Sequence, residues 1–189
     1  QIRLGAAALD FGMVSVGVPS VQTLDIVNDG QVDLVISNFS IDRQSVFSVS
    51  PATATVTPGG SVAVEVRFQP TVRGMASTVL VARSNDPDED AVSVALSGTG
   101  VLAELSVQPA VIAFGEVRVG SFLDTTVILT NIGNAALKLR NAFIENASFR
   151  ILNFQPQTLA PNQSLGVTIR FLPLVAQGMS AQLVVVDAV

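Results

Sequence analysis

The 189-residue sequence contains no cysteine, no histidine, no tryptophan and no tyrosine. Without His or Cys there is no Ser-His-Asp or Cys-His nucleophilic system, and no ordinary zinc or haem site. Without Cys there is no disulfide framework. Without Trp or Tyr the rings that commonly stack on sugars are missing. Lys138 is the single lysine, and arginines stand singly at 3, 43, 67, 73, 83, 118, 140, 150 and 170. With no basic stripe and no aromatic platform, the composition argues against nucleic-acid binding. Neither a G-x-G-x-x-G nor a Walker-type sequence occurs. No apolar run approaches the roughly 18–20 residues of a membrane-spanning helix, so no membrane insertion is expected.

What the chain does have is apolar surface. Hydrophobic residues make up 49% and charged residues 13%, with a net charge of −5, a balance too apolar for disorder. The apolar residues come in short bursts of Val, Leu, Ala and Ile broken by Gly, Pro, Asn and Asp. That pattern predicts a soluble β protein with buried sheet faces.

The bursts occur twice. A shift of 103 residues lays Leu9-Asp10-Phe11-Gly12-Met13-Val14-Ser15-Val16-Gly17 on Ile112-Ala113-Phe114-Gly115-Glu116-Val117-Arg118-Val119-Gly120. It also lays Asn28-Asp29-Gly30 on Asn131-Ile132-Gly133, Leu34 and Ile36 on Leu137 and Leu139, and Pro58 on Pro161. The run Val62–Pro70 falls on Leu165–Pro173, and Phe47-Ser48-Val49 meets Phe149-Arg150-Ile151 after a one-residue slip. In the clearest strand, Val62, Val64, Val66 and Phe68 alternate with Ala63, Glu65 and Arg67, sending one set inward and the other to solvent. Asn-Asp-Gly and Asn-Ile-Gly are expected to supply positive-φ residues at strand-to-strand turns. Pro58-Gly59-Gly60 and Pro161-Asn162-Gln163 are expected to be turns as well. Each copy reads as six or seven short strands, with no sustained 3.6-residue period. The predicted fold is all-β, two tandem immunoglobulin-like antiparallel β-sandwiches spanning 1–100 and 101–189.

Copy one ends with two strands, Ala76–Ser84 and Ala91–Gly98, whereas copy two stops at Val189 near the equivalent of the first. The second sandwich therefore reads as C-terminally incomplete, lacking its last strand. Either the chain is a truncated piece of something longer, or another chain supplies the strand to an open groove; an unpaired edge of free N–H and C=O groups should not stay empty. The start at Gln1, without an initiator Met or a signal peptide, likewise predicts a piece of a larger protein. The short linker around Ser97–Glu104 predicts restricted freedom between the copies.

The phrases LDFGMVSVG, IVNDGQVDLVI, TVTPGGSVAVEVRFQP, RGMASTVLVARSNDP and VALSGTG, with IAFGEVRVG, LTNIGNAALKL and TLAPNQSLGVTIRFLP in copy two, resemble the ASH (ASPM–SPD-2–Hydin) domain. The resemblance covers almost the whole chain and rests on the order and spacing of these phrases, seen twice. It implies a fold similar to major sperm protein and PapD-type chaperones, no enzymatic activity, and no shared binding residue to carry over. Bacterial relatives occur as tandem arrays in large surface or secreted proteins; eukaryotic relatives are associated with cilia and centrosomes.

Candidate sites are few. The acidic loop Asp86-Pro87-Asp88-Glu89-Asp90 is a weak candidate for Ca²⁺, which takes six to eight oxygens, against a plain solvated turn. Asp10 and Asp25 are expected to face solvent rather than act as a glycosidase pair. Phe11, Phe47, Phe68, Phe114, Phe149 and Phe171 match between copies and are expected in the cores. Phe39, Phe122, Phe143 and Phe154 have no Phe counterpart, and some of them are candidates for facing the interdomain seam or a partner. Arg67 and Arg170 are expected to pair with carboxylates across strands. Asn38, Asn146 and Asn162 open formal glycosylation sequons.

The expected function is a non-enzymatic structural or interaction module without a cofactor, docking protein partners or neighbouring copies through sheet edges and loop tips. An extracellular, cell-surface or periplasmic assembly is the leading setting. The alternatives are an intracellular cilia or centrosome scaffold, or a strand-accepting chaperone-like module.

Overall fold

The computed structural model describes residues 1–42 and 46–188; Arg43 and Val189 lie outside them. The described residues contain strands and turns and no helix, and they divide into two compact units, Gln1–Val101 and Leu102–Val189.

Unit 1 holds β1 (Ile2–Leu4), β2 (Ala8–Ser15), β3 (Ser20–Asn28), β4 (Leu34–Ile41), β5 (Phe47–Ser50), β6 (Ala54–Val56), β7 (Ser61–Phe68), β8 (Gly74–Ser84) and β9 (Ala91–Val101). They form two sheets, ordered β1-β3-β7-β5 and β2-β9-β8-β4-β6. Nine strands exceed the expected six or seven, because the N-terminal run splits between the sheets as β1 and β2, and β5 and β6 are separate short pieces. One pairing, β2 with β9, is parallel; the rest are antiparallel.

Period-two alternation builds the core between the sheets. Val64, Val66 and Phe68 of β7 are fully buried, as are Leu24 and Ile26 of β3 opposite them. In β4 the inward set switches from Leu34 and Ile36 to Phe39 and Ile41, because a bulge between Ile36 and Asn38 inserts a residue and reverses the phase. That bulge is what carries Phe39, unmatched in the repeat, into the core.

Unit 2 holds β10 (Leu105–Gln108), β11 (Leu123–Asn131), β12 (Leu137–Ile144), β13 (Phe149–Ile151), β14 (Gln157–Leu159), β15 (Ser164–Phe171) and β16 (Leu183–Ala188). The sheets are β10-β11-β15-β13 and β14-β12-β16. The β4 bulge recurs between Leu139 and Asn141 of β12. Ring triads recur too. Phe47 stacks on Phe68 with centroids 4.7 Å apart, as Phe149 does on Phe171 at 4.7 Å, and Phe11 and Phe114 close each triad from the side.

The turns depart from expectation in one respect. Gly30 and Gly133 do not have positive φ. They are glycines because space is short: a Cβ on Gly30 would strike the backbone nitrogen of Gln1, and one on Gly133 the carbonyl oxygen of Leu102. The left-handed residues of the matched turns are Gly59 (φ 72°) and Asn162 (φ 64°). Each follows proline in a turn closed by Gly60 N–H to the Thr57 carbonyl or Gln163 N–H to the Ala160 carbonyl.

Candidate docking groove

The two units differ where β9 stands. In unit 1, β9 is hydrogen-bonded on both sides, antiparallel to β8 and parallel to β2. In unit 2, β16 pairs with β12 as β8 pairs with β4, with Leu183 opposite Ile144 where unit 1 has Leu80 opposite Ile41. No described strand lies on the other side of β16. The consequence reaches further than one strand. Val111–Arg118, the counterpart of β2, is not a strand, although its sequence repeats that of β2. β2 has β9 as its ladder partner, so without such a partner the same residues have no backbone to pair with.

Between this segment and β16 lies a groove of about 1640 Å³. Phe114, Phe149, Phe171, Val127 and Ile169 line it, with Leu183 and Val185 on the β16 side. Phe114 and Phe149 are only half-buried, whereas Phe11, Phe47 and Phe68 of unit 1 are buried. Val111 at the rim is 83% exposed. Glu116 and Arg118 are the charged residues along the groove. Among the described residues it is an apolar slot beside β16, the last strand of the chain, and its floor is the Phe114, Phe149 and Phe171 triad. At its far end the Gly120 N–H reaches the Pro173 carbonyl, matching Gly17 to Pro70 in unit 1.

In the acidic loop one carboxylate is buried and the others are exposed. Asp86 is 6% exposed. Its Oδ2 accepts the Ile2 N–H at 2.6 Å and its Oδ1 accepts the Asp88 N–H at 3.1 Å. Those bonds hold its carboxyl below the usual carboxylate range, the Ile2 bond most of all. Asp88, Glu89 and Asp90 are exposed, and Asp90 stands 4.0 Å from Arg83. Among the described residues no group of three acidic side chains could hold a metal ion. Asp86 fastens β1 to the turn between β8 and β9.

Asp10 and Asp25 are exposed on strands of different sheets, and Asp10 accepts the Gly12 N–H and the Ser97 hydroxyl. Arg170 meets Asp124 directly across β11 and β15 with two bonds of 2.8 Å, which holds the Asp124 carboxyl low, and it lies 3.8 Å from the centroid of the Phe122 ring. Among the described residues Arg67 has no carboxylate across the strand pair. Val21 is opposite it in β3, and its guanidinium donates to Gln69 Oε1 at 2.7 Å. Phe122 is 56% exposed and Phe143 is exposed beside the groove mouth, while Phe154 packs against the unit 2 core. Asn38 is exposed at the β4 bulge, Asn162 is exposed on its turn, and Asn146 is engaged with the Ser148 N–H and the Ser180 carbonyl.

A family model for the HYDIN/CFA65/VesB-like immunoglobulin-like domain matches the chain twice, over residues 1–99 and 103–187. The chain belongs to this family. It is 31% identical over 180 residues to "Cilia- and flagella-associated protein 74" of Chlamydomonas reinhardtii, covering 87% of the chain but 9% of that protein. Among solved structures it is similar to the human "ASH / PapD-like domain of human CEP192 (PapD-like domain 7)", with TM-score 0.48, 19% identity, 55% of this chain and 87% of that one. It is also similar to a Porphyromonas gingivalis W83 protein of unknown function, with TM-score 0.47, 17% identity, 98% of this chain and 92% of that one. The family is one of immunoglobulin-like interaction domains rather than a class of enzymes.

Proposed function

We propose that the chain is a non-enzymatic scaffold and docking module of a larger cilia- or flagella-associated assembly. One observation carries the setting: a relative 31% identical over 180 residues is named for cilia and flagella. It supports the ciliary alternative over the extracellular or envelope setting that headed the sequence-based expectations. The chain spans 9% of that relative, and the proposed role concerns this stretch alone. Its mechanism is mechanical. Sandwich cores resist deformation, and sheet edges offer rows of N–H and C=O groups to partner proteins.

An antibody raised against the chain, used for immunogold labelling in the organism that makes it, tests the setting. Label along cilia or flagella supports the reading. Label confined to the outer cell surface or the culture medium overturns it in favour of an extracellular assembly.

A further inference from the structure

We infer that the outer face of the five-stranded sheet of unit 1, β2-β9-β8-β4-β6, is a self-association surface, and that its occupant is the same face of a second copy of this chain. The surface lies wholly within unit 1, and its pairing does not depend on the ciliary setting proposed above.

Charge is spread unevenly over the sheet exteriors. Alternation sends Arg3, Asp25, Glu65 and Arg67 outward from β1-β3-β7-β5. In unit 2, Asp124, Arg150 and Arg170 face outward from β10-β11-β15-β13, and Lys138 and Arg140 are exposed on β12. The outer face of β2-β9-β8-β4-β6 instead presents Val79 and Val81 from β8, with Ser93, Ala95, Ser97 and Thr99 from β9. Val35 and Ser37 of β4 stand where unit 2 has Lys138 and Arg140. At one end, Met13 and Met75 flank Thr99 on its two sides and are 82% and 81% exposed. Methionine is an adaptable side chain enriched at interfaces, and a broad charge-poor face of this kind marks a surface that association covers.

Among the described residues two charges remain on this face, one of each sign, and their placement fits a two-fold axis. Asp10 of β2 is level with Ser97 on one flank of β9, and Arg83 of β8 is level with Ala91 on the other. The midpoint between them therefore lies over β9, between Ser93 and Ala95. Take a two-fold axis through that midpoint, in the plane of the face and perpendicular to the line joining the charges. It sets each Asp10 against the partner's Arg83, so both ion pairs form together, as an isologous contact requires. Val79, Val81 and Ala95 then fall at the centre, where desolvation is most complete. Asp10 Oδ1 is held by the Gly12 N–H and the Ser97 hydroxyl, which fixes the carboxylate with Oδ2 outside both bonds. Arg83 stands 4.0 Å from Asp90 with both side chains exposed, a loose pair that a closer carboxylate displaces. At about 4.8 Å between strands and about 3.4 Å per residue, the five strands present a face of roughly 600 Å². Two such faces bury roughly 1,200 Å², above the about 1,000 Å² expected of a specific interface.

Sedimentation of the 189-residue chain over a range of concentrations, at low and high salt, is the test. A monomer–dimer equilibrium that weakens as salt rises is expected. Val79 is 43% exposed, so Val79→Arg leaves the core untouched; it brings two guanidiniums together at the centre and should weaken the dimer about 10-fold or more. Asp10→Arg and Arg83→Asp should each weaken it by about the same factor, and the double variant should recover most of the loss, because every facing pair is again opposite in sign. Thermal melting of each variant separates lost association from lost folding. A chain that stays monomeric throughout overturns the inference. So does a dimer indifferent to Val79→Arg, which would put the contact on another face, and so does a double charge reversal no better than either single one. Immunogold labelling is read on a different sample, so the ciliary setting and this pairing can fail independently.

Discussion

Asn28 and Asn131, 103 positions apart, are both fully buried and share three equivalent bonds. Asn28 Nδ2 donates to the carbonyls of Val32 and Val56, and its Oδ1 accepts the Gly30 N–H. Asn131 Nδ2 donates to Ala135 and Leu159, and its Oδ1 accepts the Gly133 N–H. Each amide ties the end of one strand to its turn and to a strand of the other sheet, using two donor bonds and one acceptor, a set that neither an ionised carboxylate nor a single hydroxyl can supply.

Asn28→Ala should leave several buried backbone groups without partners, each costing roughly 1–3 kcal/mol. Urea unfolding should show a loss on the order of 3 kcal/mol, with faster amide exchange in β3, β6 and β7. Asn28→Asp should be no better, since it cannot donate and brings a charge into the site. Unchanged exchange in those strands would refute a structural role for the amide.

Gly98 packs directly on Phe68 in the unit 1 core: a Cβ there would lie 2.6 Å from Cε1 of the ring. Gly98→Ala should destabilise unit 1 by roughly 1–3 kcal/mol through overpacking. Phe68→Leu opens space beside the new methyl, so the double variant should lose less than the two single losses added together. Calorimetric melting of the four proteins reads this coupling, and strict additivity would show that the clash is relieved elsewhere.

The repeat, the strand class and the ring triads were legible because alternation and the 103-residue shift mark them directly. Arg170 with Asp124 followed the expected cross-strand rule, but Arg67 did not: what lies opposite an outward arginine depends on register, and Val21 stands there. The roles of Asn28 and Gly30 were misread as turn conformation, since a buried amide and a close backbone approach leave the same letters as a positive-φ turn. That copy two reaches only the counterpart of β8 was visible by comparing the copies. That Val111–Arg118 would lose its strand geometry was not, because nothing in the LDFGMVSVG phrase reveals that its ladder partner is β9.

Acid should weaken the attachment of β1. The Asp86 carboxyl is held low by the Ile2 N–H and then by the Asp88 N–H. A carboxylate depressed in the folded state contributes stability above its unfolded pKa of about 3.9 and loses that contribution as pH falls through the folded value. Asp86→Asn should therefore be less stable than the parent at pH 7, and the gap should close as pH drops below about 4. The parent keeps some pH dependence from Asp29 and Asp124, which are held low by Arg3 and Arg170. Urea midpoints between pH 7 and pH 2 check this, and a gap that stays constant would mean that Asp86 acts without its charge.

The same substitution in the two ring triads should have unequal cost. Phe11 is 7% exposed within a sandwich closed by β9, and Phe114 is half-buried along the open groove. Phe11→Ala empties an enclosed site and should cost about 3–5 kcal/mol. Phe114→Ala removes a ring already in contact with solvent, so its cost should fall below that range, since less apolar surface returns to water. Thermal melting of the parent and the two variants measures both costs. Equal costs for the two substitutions would mean that the unit 2 triad is as enclosed as that of unit 1.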